Sequence, residues 1–318
     1  MKSILFTYGF EDGKLKERMK MLEDLGYKVY HEDEDSFKYQ DYMKEVDVLV
    51  TFKLFDKVSL DKFPKLKWIQ LTSMGFEQLP KEEILERGIT VTNNKNGYSI
   101  PMGEWAVLNI LELVKNRKQA YKNQLEKSWH VDLSVGEIYQ KTVSFIGTGD
   151  ISRESVKRLQ GFDVNILGVN TNGRAIDGFD ECFSIDELDT VLSKSDVVVI
   201  TLPNTEKTYH LFDKSRLEKM KKDAYLLNMS RGAIIKEEDL IKHLEEGNLS
   251  GAALDVFEEE PLPKTSKLWD IDRVVITSHN SWISDKIGPR RWDMFYKNFK
   301  RFINDEEFLN VVKIKRGY

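Results

Sequence analysis

Residues 141–152, which read KTVSFIGTGDIS, decide the fold of this chain. A short run rich in β-branched and aromatic residues ends in two closely spaced glycines, Gly147 and Gly149, and apolar residues continue behind them at helical spacing. This order of strand, tight turn and helix predicts the first βα unit of a dinucleotide-binding fold. The first glycine permits the sharp turn, and the second lets backbone N–H groups approach a pyrophosphate at the positive end of the helix.

Two side chains depart from the usual form of this turn. Ser152 stands where the third glycine of G-x-G-x-x-G is usual, and serine is the mildest change because the position requires a small side chain. Asp150 stands beside the expected pyrophosphate, so we expect its carboxylate to point to solvent. By itself the stretch also fits an ordinary glycine turn, and the sequence that follows decides between the two interpretations.

The composition excludes several classes of function. The chain has 318 residues, enough for two domains with a sizeable core each. Its formal net charge is −5 and it has no basic stripe, which argues against nucleic-acid binding. No apolar run approaches the roughly 20 residues of a membrane span, and the first ten residues do not resemble a signal peptide. The single cysteine, Cys182, provides no metal cluster. We therefore expect a cytoplasmic protein with no metal site and no membrane partner.

Residues 1–100 alternate short apolar runs with helical patterns, which predicts a small parallel α/β domain. A helix is predicted over residues 14–25. The predicted strands cover residues 3–7, 46–52, 68–72 and 89–92. Two loops follow predicted strands, where α/β sheets place ligands. One loop contains Met74 and Gly75, the other contains Tyr98, and both also fit ordinary turn chemistry.

A long helix is predicted from Pro101 to about residue 123, because proline suits the first turn of a helix and apolar residues follow at helical spacing. The second domain then begins with the glycine turn. Its other strands are predicted over residues 164–169, 196–202, 224–229, 251–255 and 274–277. Six strands with crossover helices predict a doubly wound parallel sheet. A last helical run covers residues 291–318.

Three polar residues stand just beyond strands of this second domain: Arg231, Glu260 and His279. Strand ends of a doubly wound sheet face one crevice, so the three side chains can meet at a bound cofactor. Each residue alone also fits a bland role, as a helix-entry charge, a solvated glutamate or a capping histidine. Their joint position at successive strand ends favours a catalytic set.

On these residues the chain resembles the D-isomer-specific 2-hydroxyacid dehydrogenases, which include D-lactate, glyoxylate/hydroxypyruvate and phosphoglycerate dehydrogenases. The segments that carry the resemblance are residues 147–151, 228–232, 251–257, 260–262 and 277–279. The resemblance implies two Rossmann-like α/β domains. A doubly wound nucleotide domain over residues 101–283 would be inserted in a smaller, flavodoxin-like substrate domain over residues 1–100 and 284–318. It also implies a homodimer formed through the nucleotide domain.

The resemblance further implies NAD(P)-dependent interconversion of a small 2-oxo acid and its D-2-hydroxy acid. Arg231 would bind the substrate carboxylate bidentately, and the backbone N–H groups of Met74 and Gly75 would hold it from the other domain. His279 would donate a proton to the 2-oxo oxygen, and Glu260 would pair with it and favour the imidazolium form. The crevice between the domains would close over the substrate to exclude water.

The cofactor residues implied by the same resemblance lie mainly at strand ends of the nucleotide domain. They are Gly147, Thr148, Gly149, Asp150, Ile151, Asn170, Thr171, Asn172, Arg174, Leu202, Pro203, Thr208, Met229, Ser230, Asp255, His279 and Ser281. Leu202 and Pro203 would flank the adenine, and Asp255 would hold the carboxamide. Asn170 stands where an acidic residue selects NAD, so we expect NADP to be accepted, with Arg174 as the charge for a 2′-phosphate.

The identity of the substrate stays open at this stage. The candidate pocket residues are Lys53, Leu54, Met74, Gly75, Tyr98, Ser99, Arg231, His279 and Trp282. Lys53 follows a predicted strand and would favour substrates with a second anionic group, although a solvated lysine is an equally good interpretation. The alternatives are a phosphite-type dehydrogenase and a non-catalytic, NAD-sensing protein similar to corepressors of this fold. Glu260 argues against formate dehydrogenases, which pair the histidine with glutamine.

Overall fold

The computed structural model describes residues 1–10 and 12–316. The strands are β1 Ser3–Phe6, β2 Lys28–His31, β3 Val48–Thr51, β4 Trp68–Leu71, β5 Thr90–Thr92, β6 Thr142–Ile146, β7 Asn165–Asn170, β8 Glu181–Ser184, β9 Val197–Ile200, β10 Tyr225–Asn228, β11 Gly251–Leu254 and β12 Val274–Ile276. The α-helices are α1 Leu15–Asp24, α2 Lys81–Glu86, α3 Ser99–Val114, α4 Arg117–Leu125, α5 Asp150–Leu159, α6 Leu188–Lys194, α7 Lys214–Leu217, α8 Glu237–Glu245 and α9 Ile287–Ile303. Short 3-10 helices cover Asp41–Glu45, Leu54–Asp56, Leu60–Lys62, Gln160–Phe162, Ile185–Glu187, Gly232–Ile234, Lys267–Asp270 and Ile314–Arg316.

The chain divides into two compact units. Unit 1 comprises Met1–Tyr98 and Ser284–Tyr318, and unit 2 comprises Ser99–Ile283. The domain boundaries expected from the sequence lie after residues 100 and 283. Gly317 and Tyr318, the end of the helical run expected over residues 291–318, lie outside the described residues.

Unit 1 is built on a parallel sheet of five strands in the order β2-β1-β3-β4-β5. The three central strands, β1, β3 and β4, are buried along their whole length, as a parallel sheet covered on both faces requires. Successive residues point to opposite faces, so that Ile4 and Leu5 belong to two separate apolar clusters. On the Ile4 side, α9 contributes Phe295 and Phe299, and the Phe299 ring lies 5.1 Å from that of Trp68. The C-terminal helix is therefore part of the core of unit 1.

Unit 2 is built on a parallel sheet of seven strands in the order β12-β11-β10-β9-β6-β7-β8, which confirms the predicted doubly wound sheet. The strand order reverses beside β6, which pairs with β7 on one side and with β9 on the other. Ligands of such sheets bind outside the carboxyl ends of the strands at this reversal. The glycine turn follows β6 and is thus placed where the fold is expected to bind a nucleotide.

Two strands were not predicted, and both lie at the edge of a sheet. β2 has no fully buried residue, and β8 has only one, Phe183. An edge strand packs fewer side chains than a central one, so neither segment carries a continuous apolar run. Unit 1 consequently has five strands where four were predicted, and the nucleotide sheet has seven where six were predicted.

The single helix predicted from residue 101 to about residue 123 is wrong, because the structure has two helices there. α3 ends at Val114, and α4 begins after Asn116, whose φ of 45° is left-handed. The Asn116 amide donates to the carboxylate of Asp132 at 2.7 Å, a contact distant in sequence that local periodicity cannot predict. The helical run expected over residues 291–318 is also wrong in its bounds, because α9 begins at Ile287 and ends at Ile303, just before Asp305, whose φ of 54° is left-handed.

None of the helices described within residues 1–10 and 12–316 has both the length and the apolar character needed to cross a membrane. Within the same residues, no cluster of three or more His, Cys, Asp or Glu side chains is arranged to hold a metal ion.

Candidate active site

The glycine turn after β6 has the space and the backbone donors that a dinucleotide pyrophosphate requires. Gly147 has a φ of 108°, and a Cβ there would lie 2.7 Å from the hydroxyl of Thr201, so only glycine fits. A Cβ on Gly149 would meet nothing within 4 Å, which leaves open space at the N-cap of α5. This helix has ten residues, and its first N–H groups and its dipole attract anions. The turn therefore fits the pyrophosphate of a dinucleotide.

Ser152 is accommodated in place of the third glycine by two hydrogen bonds. Its side chain is fully buried, and its hydroxyl lies 2.7 Å from the carbonyl oxygen of Gly147 and 2.8 Å from the hydroxyl of Thr201. The hydroxyl is thus satisfied inside the contact between α5 and the sheet. Asp150 is the first residue of α5 and is partly exposed, a position where a carboxylate is favoured by the helix dipole.

The loop after β7 is organised by Asn170. The Asn170 side chain is 8 % exposed, and its carboxamide oxygen accepts from the N–H groups of Asn172 at 3.3 Å and Arg174 at 3.1 Å. Its amide donates to the carbonyl oxygen of Arg174 at 2.9 Å. The exposed guanidinium of Arg174 lies 3.2 Å from the carboxamide oxygen of Asn172. Asn170 therefore fixes the shape of the loop from a buried position, whereas Thr171, Asn172 and Arg174 are exposed.

Arg231 is presented by a loop of the same design after β10. The carboxamide oxygen of Asn228 accepts from the backbone and hydroxyl of Ser230, and its amide donates to the carbonyl oxygen of Arg231 at 3.0 Å. The next residue, Gly232, touches the segment after β11, because a Cβ there would lie 1.9 Å from the carbonyl of Phe257. Sequence reasoning missed Asn228 and the reason for Gly232. The sequence did contain a signal for Asn228, because an asparagine between a strand end and a turn often binds the backbone of that turn.

His279 and Glu260 form a hydrogen-bonded pair, with Nδ1 of the histidine 2.7 Å from Oε2 of the glutamate. The other carboxylate oxygen accepts from the backbone N–H of Phe257 at 3.0 Å. Burial by itself raises the pKa of Glu260, but the hydrogen bonds from His279 and Phe257, with the charges of His279 and Arg231, lower that pKa overall. The structure thus pairs His279 with Glu260 directly, and the charge of Arg231 is near enough to act on the Glu260 carboxylate.

Asp255 holds the loop that carries His279. Its carboxylate is fully buried and accepts from the Thr277 hydroxyl at 2.5 Å and from the N–H groups of Asn280 at 2.9 Å and Ser281 at 3.0 Å. Its carbonyl oxygen accepts the N–H of His279 at 2.8 Å. These contacts support His279 in a left-handed conformation with a φ of 50°, which is uncommon for a residue other than glycine.

The remaining cofactor candidates of unit 2 lie in loops after β9, β10 and β12. Thr208 donates its hydroxyl to the carbonyl oxygen of Pro203 at 2.7 Å and so shapes the loop that follows Leu202. Met229 is 1 % exposed. The hydroxyl of Ser281 is buried and has no hydrogen-bond partner among the described residues.

Two candidates for the substrate pocket, Tyr98 and Trp282, form hydrogen bonds within their own units. The hydroxyl of Tyr98 donates to the carbonyl oxygen of Thr72 and accepts from Arg291, whose nitrogen is 2.8 Å away. The indole N–H of Trp282 donates to the carbonyl oxygen of His279 at 2.9 Å. Both side chains therefore brace a loop that carries other candidate residues.

The loop after β4 in unit 1 offers backbone donors. No described acceptor receives the N–H of Met74 or that of Gly75. The loop is fixed by the Asn93 amide, which donates to the carbonyl oxygen of Met74 at 2.8 Å, and by the Ser73 hydroxyl, which donates to that of Gly75 at 2.7 Å. Two N–H groups in a fixed loop are suited to an anion.

A doubly wound nucleotide sheet with a histidine–glutamate pair and an arginine at its carboxyl edge is typical of a dinucleotide-dependent oxidoreductase. The model of the D-isomer specific 2-hydroxyacid dehydrogenase NAD-binding domain matches residues 107–281. A protein named glyoxylate reductase from Thermofilum pendens is 36% identical over 301 residues, which cover 91% of this chain and 88% of that protein. The chain belongs to the D-isomer specific 2-hydroxyacid dehydrogenase family, and it is an NAD(P)-dependent oxidoreductase.

Two solved structures extend the similarity to the whole fold. A D-isomer specific 2-hydroxyacid dehydrogenase from Xanthobacter autotrophicus Py2, in complex with NADPH and MES, has a TM-score of 0.83 at 26% identity and covers 100% of this chain and 99% of its own. A D-lactate dehydrogenase from Aquifex aeolicus, complexed with NAD and lactic acid, has a TM-score of 0.80 at 25% identity, with 96% of each chain covered. The two-domain fold expected from the sequence is thereby confirmed.

Replacing Gly232 with alanine is expected to displace the loop that presents Arg231. The new Cβ would overlap the carbonyl of Phe257, so the backbone must shift, at a cost of about 1–3 kcal/mol for overpacking. We expect kcat/KM for a 2-oxo acid to fall about tenfold or more, because misplaced groups lose catalysis steeply. Steady-state kinetics and urea unfolding measure the two effects.

The matched control is Gly161→Ala, since a Cβ at Gly161 meets nothing within 4 Å. This variant should keep its kcat/KM and change stability by no more than about 0.5 kcal/mol. Equal kinetics for Gly232→Ala and Gly161→Ala would show that the close contact does not position Arg231.

Proposed function

We propose that this enzyme reduces a small 2-oxo acid to its D-2-hydroxy acid. The observation that carries the proposal is the hydrogen-bonded pair of His279 and Glu260 with the charge of Arg231 beside it. The similarity to proteins named glyoxylate reductase makes glyoxylate the first substrate to test. When bound, the reduced nicotinamide supplies the hydride.

Arg231 would bind the carboxylate of the 2-oxo acid. A guanidinium presents two parallel N–H groups to a carboxylate, so it fixes the orientation of the substrate as well as its charge. The loop contacts of Asn228 and Gly232 support this role because they hold the backbone on both sides of Arg231. The backbone N–H groups of Met74 and Gly75, which no described acceptor receives, are suited to an anionic group of the substrate.

His279 would deliver the proton that the reduction consumes. Because Nδ1 is bound to Glu260, Nε2 is the ring nitrogen left to face a ligand. In the imidazolium form Nε2–H can donate a proton to the 2-oxo oxygen. After the transfer the neutral ring keeps the proton at Nδ1, and this N–H stays hydrogen-bonded to the carboxylate of Glu260. The lowered pKa of Glu260 keeps that carboxylate ionised, so it can accept the Nδ1 hydrogen bond that orients the ring.

Replacing His279 with alanine should lower kcat by about 10²–10⁴-fold, the usual contribution of a general acid. The dissociation constant for NADPH should stay within about twofold, because the pyrophosphate turn is untouched. Arg231→Lys should instead mainly raise KM, since an ammonium cannot bind a carboxylate bidentately. Stopped-flow binding and steady-state assays with glyoxylate, hydroxypyruvate and pyruvate separate these effects.

His31→Ala is the matched control, because His31 is an exposed histidine at the end of β2. Near-normal turnover in His279→Ala would contradict the assignment. Oxidation of phosphite without reduction of any 2-oxo acid would favour a phosphite-type dehydrogenase, and NADH binding without turnover of either would favour a dinucleotide sensor.

For the cofactor, we propose that NADPH is accepted at least as well as NADH. A carboxylate at the end of the second nucleotide strand would repel a 2′-phosphate, and Asn170 places no charge there. The loop that Asn170 shapes exposes the guanidinium of Arg174, which can approach an added phosphate. One of the similar solved structures contains NADPH and another contains NAD. The fold therefore accepts either cofactor, and we expect the loop after β7 to determine the preference of this chain.

Replacing Arg174 with alanine should lower kcat/KM for NADPH about tenfold or more, because charge-assisted hydrogen bonds contribute about 1.5–3 kcal/mol each. Asn170→Asp can still accept the two N–H groups of the loop, but its charge should shift the preference towards NADH. The ratio of kcat/KM for the two cofactors measures both effects. Lys219→Ala, at an exposed cation of unit 2, should leave the ratio unchanged. A strong wild-type preference for NADH that neither Arg174→Ala nor Asn170→Asp alters would contradict the proposal.

We also propose that the enzyme is a homodimer formed through the nucleotide domain. Large apolar side chains within residues 121–139 are strongly exposed, with Trp129 at 98% and Leu133 at 92%. Monomeric proteins rarely expose so many large apolar groups in one segment. A second copy of this chain offers the same segment, and a two-fold interface is self-complementary.

The variant with Trp129→Ser and Leu133→Ser should dissociate, because each apolar side chain removed from an interface costs about 1.5–3 kcal/mol and a two-fold contact loses two of each. Light scattering should change from twice the 37.1 kDa chain mass to the chain mass. Leu85→Ser, at an exposed leucine of α2, is the control and should remain dimeric. A wild type that is monomeric at micromolar concentration would contradict the proposal.

A further inference from the structure

A buried carboxylate in unit 1 has no part in the chemistry described above. Glu34 is 7% exposed and lies in the acidic stretch after β2 that reads EDED over residues 32–35. Its carboxylate accepts from the hydroxyls of Thr7 and Thr51 and from the backbone N–H groups of Phe52 and Lys53. The Lys53 N–H lies 3.2 Å from one carboxylate oxygen and 3.1 Å from the other. Glu34 thus fixes the backbone at the carboxyl end of β3.

The segment held by Glu34 is connected to the loop after β4. The carbonyl oxygen of Phe52 accepts from the amide of Gln78 at 2.7 Å, and the same amide nitrogen lies 3.3 Å from the Ser73 hydroxyl. The Ser73 hydroxyl in turn donates to the carbonyl oxygen of Gly75 at 2.7 Å. A continuous series of hydrogen bonds therefore runs from the buried carboxylate to the loop with the two free N–H groups.

We infer that Glu34 is a positioning residue for substrate binding, a role that rests on the proposed function. It holds two groups in place: the backbone donors of the loop after β4, through Gln78 and Ser73, and Lys53, through the N–H of the lysine itself. An ionised carboxylate that accepts several donors in a buried place holds its partners more strongly than a neutral acceptor does. Glu34 does not touch the substrate.

The position of Lys53 extends the inference to the class of substrate. Its side chain is exposed at the carboxyl end of β3, and within the described residues its ammonium has no ion-pair partner. Glu34 fixes its backbone while leaving the ammonium available. Substrates with a second anionic group, such as phosphohydroxypyruvate, should therefore depend on Glu34 more than pyruvate or glyoxylate does.

The test compares Glu34→Gln with Asp47→Asn. Asp47 is a matched control because its carboxylate also accepts a backbone N–H and a hydroxyl, both from Ser3. This contact lies where β1 and β3 begin, at the amino ends of the strands of the same sheet. Glu34→Gln should raise KM for 2-oxo acids roughly fivefold or more, while kcat and the dissociation constant for NADPH stay within about twofold. Asp47→Asn should lower the melting temperature without changing KM.

One further variant, Gln78→Met, keeps the inference testable if Glu34→Gln folds poorly. Gln78→Met removes the amide that links the two loops and should raise KM for every 2-oxo acid. In a double-mutant cycle, Lys53→Met and Glu34→Gln should be non-additive for phosphohydroxypyruvate and additive for pyruvate. Equal KM changes in Glu34→Gln and Asp47→Asn, or an unchanged KM in both Glu34→Gln and Gln78→Met, would overturn the inference. Absence of any turnover in the wild type would instead contradict the proposed function.

Discussion

The carboxylate of Asp255 is the interaction on which the geometry of the nucleotide unit depends. It is fully buried at the end of β11, and its partners come from the segment after β12. The backbone N–H of Asp255 donates to the carbonyl oxygen of Asn228, the last residue of β10. One residue therefore links the carboxyl ends of three neighbouring strands. A buried charge needs several donors to offset its lost hydration, and those donors are the backbone of the loop that carries His279.

Asparagine serves the same purpose at two other strand ends. Asn170 and Asn228 both accept N–H groups from the residues that follow and donate to a carbonyl oxygen three or four residues on. In both loops the carboxamide is used up by the backbone, and the residue that carries the charge is an arginine, Arg174 or Arg231. A strand-end polar residue is therefore not always the residue that meets the ligand. Here it decides which neighbour is presented.

The sequence predicted the central strands well and offered the catalytic candidates, because both depend on local signals. A central parallel strand is a continuous apolar run in the sequence. Polar residues just after such a run lie at the carboxyl end of the strand, where ligands of a doubly wound sheet bind. The edge strands β2 and β8, and the break at Asn116, depend on contacts that no window of sequence contains. Glu34 was missed for the same reason: within an acidic stretch it reads as a solvated side chain, and only the tertiary structure provides its five donor contacts.

The two departures from the family pattern differ in their physical meaning. Ser152 fills a position that requires a small side chain, and it compensates for its extra hydroxyl with hydrogen bonds to Gly147 and Thr201 inside the contact. The position therefore requires a small side chain whose polar atoms, if it has any, are hydrogen-bonded. Serine meets this requirement as well as glycine does. Asn170 keeps the loop-shaping acceptor of an acidic residue but removes its charge. The first change leaves the surface presented to a dinucleotide as it was, whereas the second alters the electrostatic field at the end of β7. Cofactor preference should follow the second change.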